Sequence, residues 1–311
     1  MKFYNIFTES VDALKLDNIK SVLIKKLAKA VVESIEPGEF QVYQRLDNGV
    51  NIIYKISETS GTKVFNFINL DGELVSDIWF TAIVGCGRYG PEYAGLYRVS
   101  NDDKQWNILC NDGTFLTKTW CDNICPNKDG LFIVRMNDQF NFMNMDGDFI
   151  SNDWFVDVSS FNDGVARVAT DGWVYNYINR NGEYLSENTF SIAHDFSHGV
   201  GLVSRGKGYN YINTNGDFIS DMDFDWAEDF DNNGLGCVTK HIDRRKIDEN
   251  GNLSESDVVK VNLINEHGDY LLDKWVDEIR TLSSGGYQIF CNNQDTFIDA
   301  NGNILREWMD I

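Results

Sequence analysis

Long apolar runs are missing from this 311-residue chain. No stretch of about 18 consecutive hydrophobic residues occurs, which excludes a membrane-spanning helix. The opening residues, MKFYNIFTES, lack the apolar core and small-residue cleavage site of a secretory signal, so a cytoplasmic location is expected. Basic charge is scarce: 27 Lys and Arg stand against 48 Asp and Glu, a net charge of −21. Phosphate neutralisation needs a basic face, so nucleic acid is not an expected partner. The deficit is uneven. Residues 1–36 hold six lysines against five carboxylates, leaving −22 on the remainder. Six cysteines are too few for a disulfide scaffold, and only Cys121 and Cys125 lie close, without the second pair that a zinc site needs. A G-x-S-x-G elbow, a P-loop and a dinucleotide fingerprint are absent. No catalytic residue, cofactor or metal is therefore expected.

What the chain has in abundance is repetition. NFINLDGELVS begins at Asn66, NFMNMDGDFIS at Asn141, NYINRNGEYLS at Asn176 and NYINTNGDFIS at Asn210. The Asn-Gly and Asp-Gly pairs predict β-hairpins closed by type I′ turns, and the flanks alternate with the two-residue period of a strand. The turn glycines are Gly72, Gly113, Gly147, Gly182, Gly216, Gly268 and Gly302. A second ladder, Gly95, Gly130, Gly164, Gly199, Gly234 and Gly285, precedes the next turn glycine by 17 or 18 residues. The one exception, 34 residues after Gly234, places an insertion of about 17 residues within 238–258.

Seven residues after the turn glycine stands Trp79, Trp120, Trp154 or Trp275; Phe190 and Phe224 come one place later, and Trp308 one place earlier. An aromatic at a fixed place is expected to wedge between neighbouring units, each burying on the order of 150–250 Å². A unit reads as strand (GVARVAT), strand (VYNYIN), turn, strand (EYLS) and a short fourth strand. No unit covers both of its faces alone, so neighbours must stack. The expected fold is an all-β repeat protein, a seven-unit β-propeller-like ring that removes its edges by closure. An open β-solenoid is the alternative.

Over residues 60–311 the units resemble WG (KWG) repeats, whose pattern joins F-s-x-G-l-A-x-V to W-G-Y-I-d-x-x-G-k-v-v. FNDGVARV at 161–168 and FSHGVGLV at 196–203 are similar to the first half; VYNYINRNGEYL at 174–185 and GYNYINTNGDFI at 208–219 are similar to the second. The Trp-Gly pair is replaced here by an aromatic and Asn, as at Phe65-Asn66, Trp106-Asn107 and Tyr209-Asn210. The resemblance implies a binding module and no catalytic residues.

Residues 1–38 are expected to form a separate helical segment. Leu16, Ile19, Leu23, Leu27 and Val31 recur at helical spacing across 10–36, and Pro37 ends the run. The repeat domain is then 39–311, opened by a hairpin of FQVYQRL and VNIIYKI turning at Asp47-Asn48-Gly49. His194 and His198 have an H-x-x-x-H spacing, but His198 fills the slot of Asp163 before a ladder glycine and is expected in a turn. The acidic run DMDFDWAEDFDNNG at 221–234 is expected to be a solvated rim.

The insertion is the one irregular, mixed-charge segment on an acidic body. Loops that break a repeat commonly carry function, so His241, Arg244, Arg245 and Lys246 are the candidate partner-binding residues. The alternative is a hairpin around Asn250-Gly251 that extends one unit. The expected function is a non-enzymatic protein-interaction or scaffold module, such as a component of a bacterial or phage assembly. The competing expectation is a glycan-binding or glycan-cleaving propeller, with Trp and Asp or Asn gripping sugar at one mouth.

Overall fold

The structure, a computed structural model, describes residues 40–46, 50–69, 71–101, 104–247, 253–283 and 285–310. The helix expected over 10–36 and the turn expected at 47–49 lie outside the described residues. Contacts group the chain into two compact units, Met1–Phe149 and Ile150–Ile311.

The first unit carries three antiparallel sheets of three strands. They are β1 (Gln41–Arg45), β2 (Asn51–Ile56) and β3 (Lys63–Ile68); β4 (Ala82–Gly85), β5 (Leu96–Ser100) and β6 (Trp106–Cys110); and β7 (Asn123–Pro126), β8 (Phe132–Met136) and β9 (Gln139–Met143). The expected opening hairpin is thus β1 paired with β2, inside the first sheet.

The second unit carries four sheets. They are β10 (Asp157–Val158), β11 (Val165–Thr170) and β12 (Val174–Asn179); β13 (Ile192–Ala193), β14 (Val200–Ser204) and β15 (Tyr209–Asn213); β16 (Trp226–Ala227), β17 (Gly236–Ile247) and β18 (Leu253–Ile264); and β19 (Glu278–Thr281), β20 (Tyr287–Cys291), β21 (Gln294–Ile298) and β22 (Ile304–Asp310). The seven sheets match the seven units of the repeat.

Stacking explains why these strands depart from simple alternation. All five residues of β14 are buried, as are Asn176, Tyr177 and Ile178 in succession on β12. A strand buried on consecutive residues has both faces covered. One core joins Val165, Tyr177 and Phe190 to Phe196, Val203 and Ile212 of the following sheet. The next joins Val200, Leu202 and Tyr211 to Phe230 and Val238. Tyr177 completes the first junction: its ring lies 4.8 Å from that of Phe196, and its hydroxyl donates to the His194 carbonyl at 2.6 Å.

Three expectations are corrected. The strand expected after each turn, and the fourth strand, shrink to single bridges such as Ile178↔Tyr184 and Tyr175↔Phe190, except after Gly302, where β22 pairs with β21. The short strand Ile192–Ala193 pairs with β14 and so opens the following sheet. The repeated turns are not type I′. In Asn179–Gly182 the Gly182 N–H bonds back to the Asn179 carbonyl at 3.0 Å, and positive φ (78°) falls on Gly182, not on Arg180 or Asn181. That is a type I turn followed by a left-handed glycine, the three-residue hairpin. The Asn179 side chain selects it by accepting from the N–H groups of Asn181 and Glu183. Type I′ geometry occurs instead at Asn137-Asp138 and Asn292-Asn293, where both central φ values are positive.

The third correction concerns the wedge. Trp79, Trp120, Trp154 and Trp275 are only half-buried. The fully buried place is the next one, occupied by Phe80, Cys121, Phe155, Phe190, Phe224 and Val276. The asparagine of each aromatic-Asn pair is also interior. Asn66, Asn107 and Asn210 are buried, and each Nδ2 donates to two carbonyls, ten and twelve residues on. Each Oδ1 accepts from the next backbone N–H. One side chain therefore ties the irregular segment after the turn to the hairpin before it.

Candidate functional site

The insertion is not an irregular loop. β17 and β18 pair in unbroken antiparallel register from Gly236↔Ile264 to Ile247↔Leu253. The neighbouring ladder, β14 with β15, runs only from Val200↔Asn213 to Ser204↔Tyr209. The extra residues therefore lengthen both strands past the repeat, as in the hairpin alternative; the turn residues 248–252 lie outside the described residues.

Register then decides how the candidate residues are grouped. Directly paired residues of an antiparallel ladder share a face, and successive residues alternate. Arg244 (paired with Ser256) and Lys246 (with Ser254) fall on the face that also holds Lys240, Ile242, Val258 and Lys260. His241 (paired with Val259) and Arg245 (with Glu255) fall on the opposite face, alongside Asp243 and Asp257. The four candidates are thus split two and two, which their sequence proximity hides.

The base of the extension is anchored to the segment that follows the hairpin turn of its own repeat. Lys240 Nζ lies 4.3 Å from the centre of the Trp275 ring. Lys260 is buried to 6% exposure and forms an ion pair with Asp277. On the other side the His241 N–H donates to the Asp225 carboxylate, joining the insertion to the acidic run.

That acidic run is more engaged than a solvated rim. Asp223 pairs with Arg205 at 3.1 Å, Asp229 with His194 Nδ1 at 2.9 Å, and Asp231 accepts from the Tyr287 hydroxyl. Burial first, then the Asp231 carboxylate, raises the Tyr287 phenol above its ordinary range. His198 has φ 54° beside 50° at Asp163, as its place before a ladder glycine predicts, and its Nδ1 meets Ser197 Oγ rather than the partner of His194. The spacing of His194 and His198 therefore reflects two separate contacts. Among the described residues, no group of three or more His, Cys, Asp or Glu is placed to hold a metal ion. In the CDNIC segment Cys121 is buried, and burial pushes its thiol up to about 11.

The pairing of Lys240 with Trp275 went unread in the sequence. It has a counterpart in Lys55, whose Nζ lies 4.3 Å from the Trp79 ring. The signal was a lysine on the second strand of a sheet and a tryptophan seven places after the turn glycine.

Comparison with known families matches residues 211–241 to the family described as WG containing repeat. The matched span runs from Tyr211 of β15 through the turn and β16 to His241 of β17. No curated protein matches the chain.

Proposed function

We propose that the chain is a non-enzymatic protein-binding module. Its seven sheets would follow one another as the blades of a propeller-like ring, and the β17–β18 extension would be its docking element. The observation that carries this reading is the unbroken pairing of β17 with β18 out to Ile247↔Leu253, which sets Arg244 opposite Ser256 and Lys246 opposite Ser254. A ladder has defined register and direction, so the charges it carries sit at fixed spacing, as docking to a complementary surface requires. The chemistry favours a partner with an acidic patch, for which the chain as a whole, at −21 net charge, has little attraction.

The test replaces residues 242–258 with Asn-Gly, closing the ladder at the His241–Val259 pair, and in parallel makes Arg244→Glu/Lys246→Glu in the full-length chain. The three proteins are compared for partners retained from a native extract and identified by mass spectrometry. A partner lost by both variants supports the reading. Identical retention by all three proteins overturns it, and retention of glycan by all three would favour a sugar-binding role.

A further inference from the structure

In three repeats one position holds a cation. Its frame is set by the bridges Phe65↔Phe80, Trp106↔Cys121, Tyr175↔Phe190, Tyr209↔Phe224 and Val261↔Val276; in the second of these the two slot residues are Asn101 and Trp120. In three of these repeats, the residue that follows on the second strand and the residue just before the wedge form a pair. Lys55 lies over Trp79, Lys240 lies over Trp275, and Arg205 pairs with Asp223 while its guanidinium lies 4.7 Å from the Phe218 ring.

In the Tyr175↔Phe190 repeat the same two places are Thr170 and Thr189. Neither side chain has the reach of Lys, Arg or Trp. Both line an open cleft of about 470 Å³, together with Val174, Asn176, Tyr184 and Glu187. The cleft at the same place in the first repeat is lined by Lys55 and Trp79 and stops short of Asn66. Here it reaches Asn176, which is 8% exposed and whose Nδ2 donates to the Ser186 carbonyl alone, at 2.9 Å. Asn66, Asn107 and Asn210 each bond two carbonyls with the same group, and Asn262, in the repeat of Lys240 and Trp275, bonds the Leu272 carbonyl.

We propose that this cleft binds a lysine or arginine side chain of a partner protein. Three sibling slots hold a basic side chain of the chain itself, whereas here Thr170 and Thr189 supply neither a cation nor its usual partner, and Tyr184 and Glu187 line the cleft instead. Tyr184 occupies the place of Phe218, the ring under Arg205, and of Tyr270, which packs 5.3 Å from Trp275. An aromatic face attracts a cation within about 6 Å. The Tyr184 hydroxyl donates to Asp153 at 2.8 Å, which sets one carboxylate at the ring's edge. Glu187 sets a second at the mouth; among the described residues it has no ion-pair partner. Val174, 38% exposed, offers apolar surface to the aliphatic stem. The acidic field of the chain would draw a basic partner towards it. The cleft lies in a different repeat from the β17–β18 hairpin and does not depend on that hairpin's role.

The experiment titrates the isotope-labelled full-length chain with N-acetyl-lysine amide, N-acetyl-norleucine amide and glucose, followed by NMR. The expected result is saturable shifts of the Asn176 side-chain amide and the Thr189 backbone with the lysine compound, and at least tenfold weaker binding of norleucine. Glu187→Gln should weaken the lysine compound about fivefold. The double variant Thr170→Lys/Thr189→Trp rebuilds the sibling pair and should abolish binding while keeping the spectrum of a folded protein. Should that variant fail to fold, Glu187→Gln and the norleucine comparison still decide. Equal binding of norleucine, shifts produced by glucose and not by lysine, or undiminished binding by Glu187→Gln or by a folded double variant would each overturn the proposal. The chain shortened at 242–258 should bind the lysine compound as the parent does, so failure here and failure of the hairpin reading are told apart.

Discussion

Gly216 rests on the carbonyl oxygen of Leu185, one repeat earlier, so closely that a Cβ would fall well inside 3.0 Å of it. Gly147 meets Leu116, Gly182 meets Ile150 and Gly268 meets Ile219 in the same way. The turn glycine therefore has two duties: it takes a left-handed φ, and it lets the backbone of one repeat touch the backbone of the last.

These duties separate by mutation. Gly164 also has φ 84°, but no atom lies within 4 Å of the place a Cβ would occupy. Gly164→Ala should cost about 1–2 kcal/mol, the left-handed penalty alone. Gly216→Ala adds a backbone collision and should cost about 3–4 kcal/mol. Urea denaturation midpoints measure both, and equal losses would show that the close approach carries no weight.

The buried asparagines predict a second asymmetry. Asn210→Ala leaves the Ser220 and Met222 carbonyls and the Tyr211 N–H without their partner. A loss of about 1–3 kcal/mol is expected for unsatisfied interior groups. Asn188→Ala, at an exposed residue of a neighbouring repeat, should change the midpoint by less than about 0.5 kcal/mol. Comparable losses would remove the asparagine from its structural role.

Alkaline pH should weaken the fold. Burial raises the phenols of Tyr93 and Tyr184 to about 12, with Glu92 adding to the first and Asp153 to the second. In the unfolded chain a tyrosine ionises near about 10. Both contributions are therefore complete below pH 10 and are lost as pH rises through about 12. Urea midpoints at pH 9, 10.5 and 11.5 should fall steadily, and Tyr93→Phe should flatten the decline. A midpoint constant over that range would contradict the assignment.

Shortening the β17–β18 hairpin should barely alter stability. The ladder beyond His241↔Val259 adds pairing outside the repeat's own length, and a tight Asn-Gly turn suits the register left behind. The melting temperature is expected to move by less than about 4 °C, which corresponds to roughly 1 kcal/mol or less. A much larger drop would make the extension part of the core.

Burial should also silence the thiols. Cys86 and Cys121 are buried, and burial pushes each thiol up to about 11. Native protein at pH 8 should therefore react with iodoacetamide at these two positions only as fast as it unfolds, a rate read by mass spectrometry of the labelled peptides. Rapid labelling of either would show that its burial is not maintained.

The sequence by itself determined the number of repeats, their phase, and where one of them is lengthened. Those features are local: a glycine at positive φ, the Asn179-type side chain that folds its own turn, and the alternation of short strands are all written in adjacent residues. The turn class was not legible, because Asn-Gly serves both the two-residue and three-residue hairpins, and only hydrogen bonding separates them. Tertiary structure decided that Phe80, one place beyond Trp79, is the buried wedge. It also assigned Ile192–Ala193 to the sheet that follows. It parted Arg244 and Lys246 from His241 and Arg245, and it left Thr170 and Thr189 where other repeats place larger or charged side chains. Burial, face and vacancy depend on which distant residue lies opposite, and a chain acquires those neighbours only by stacking one repeat on the next.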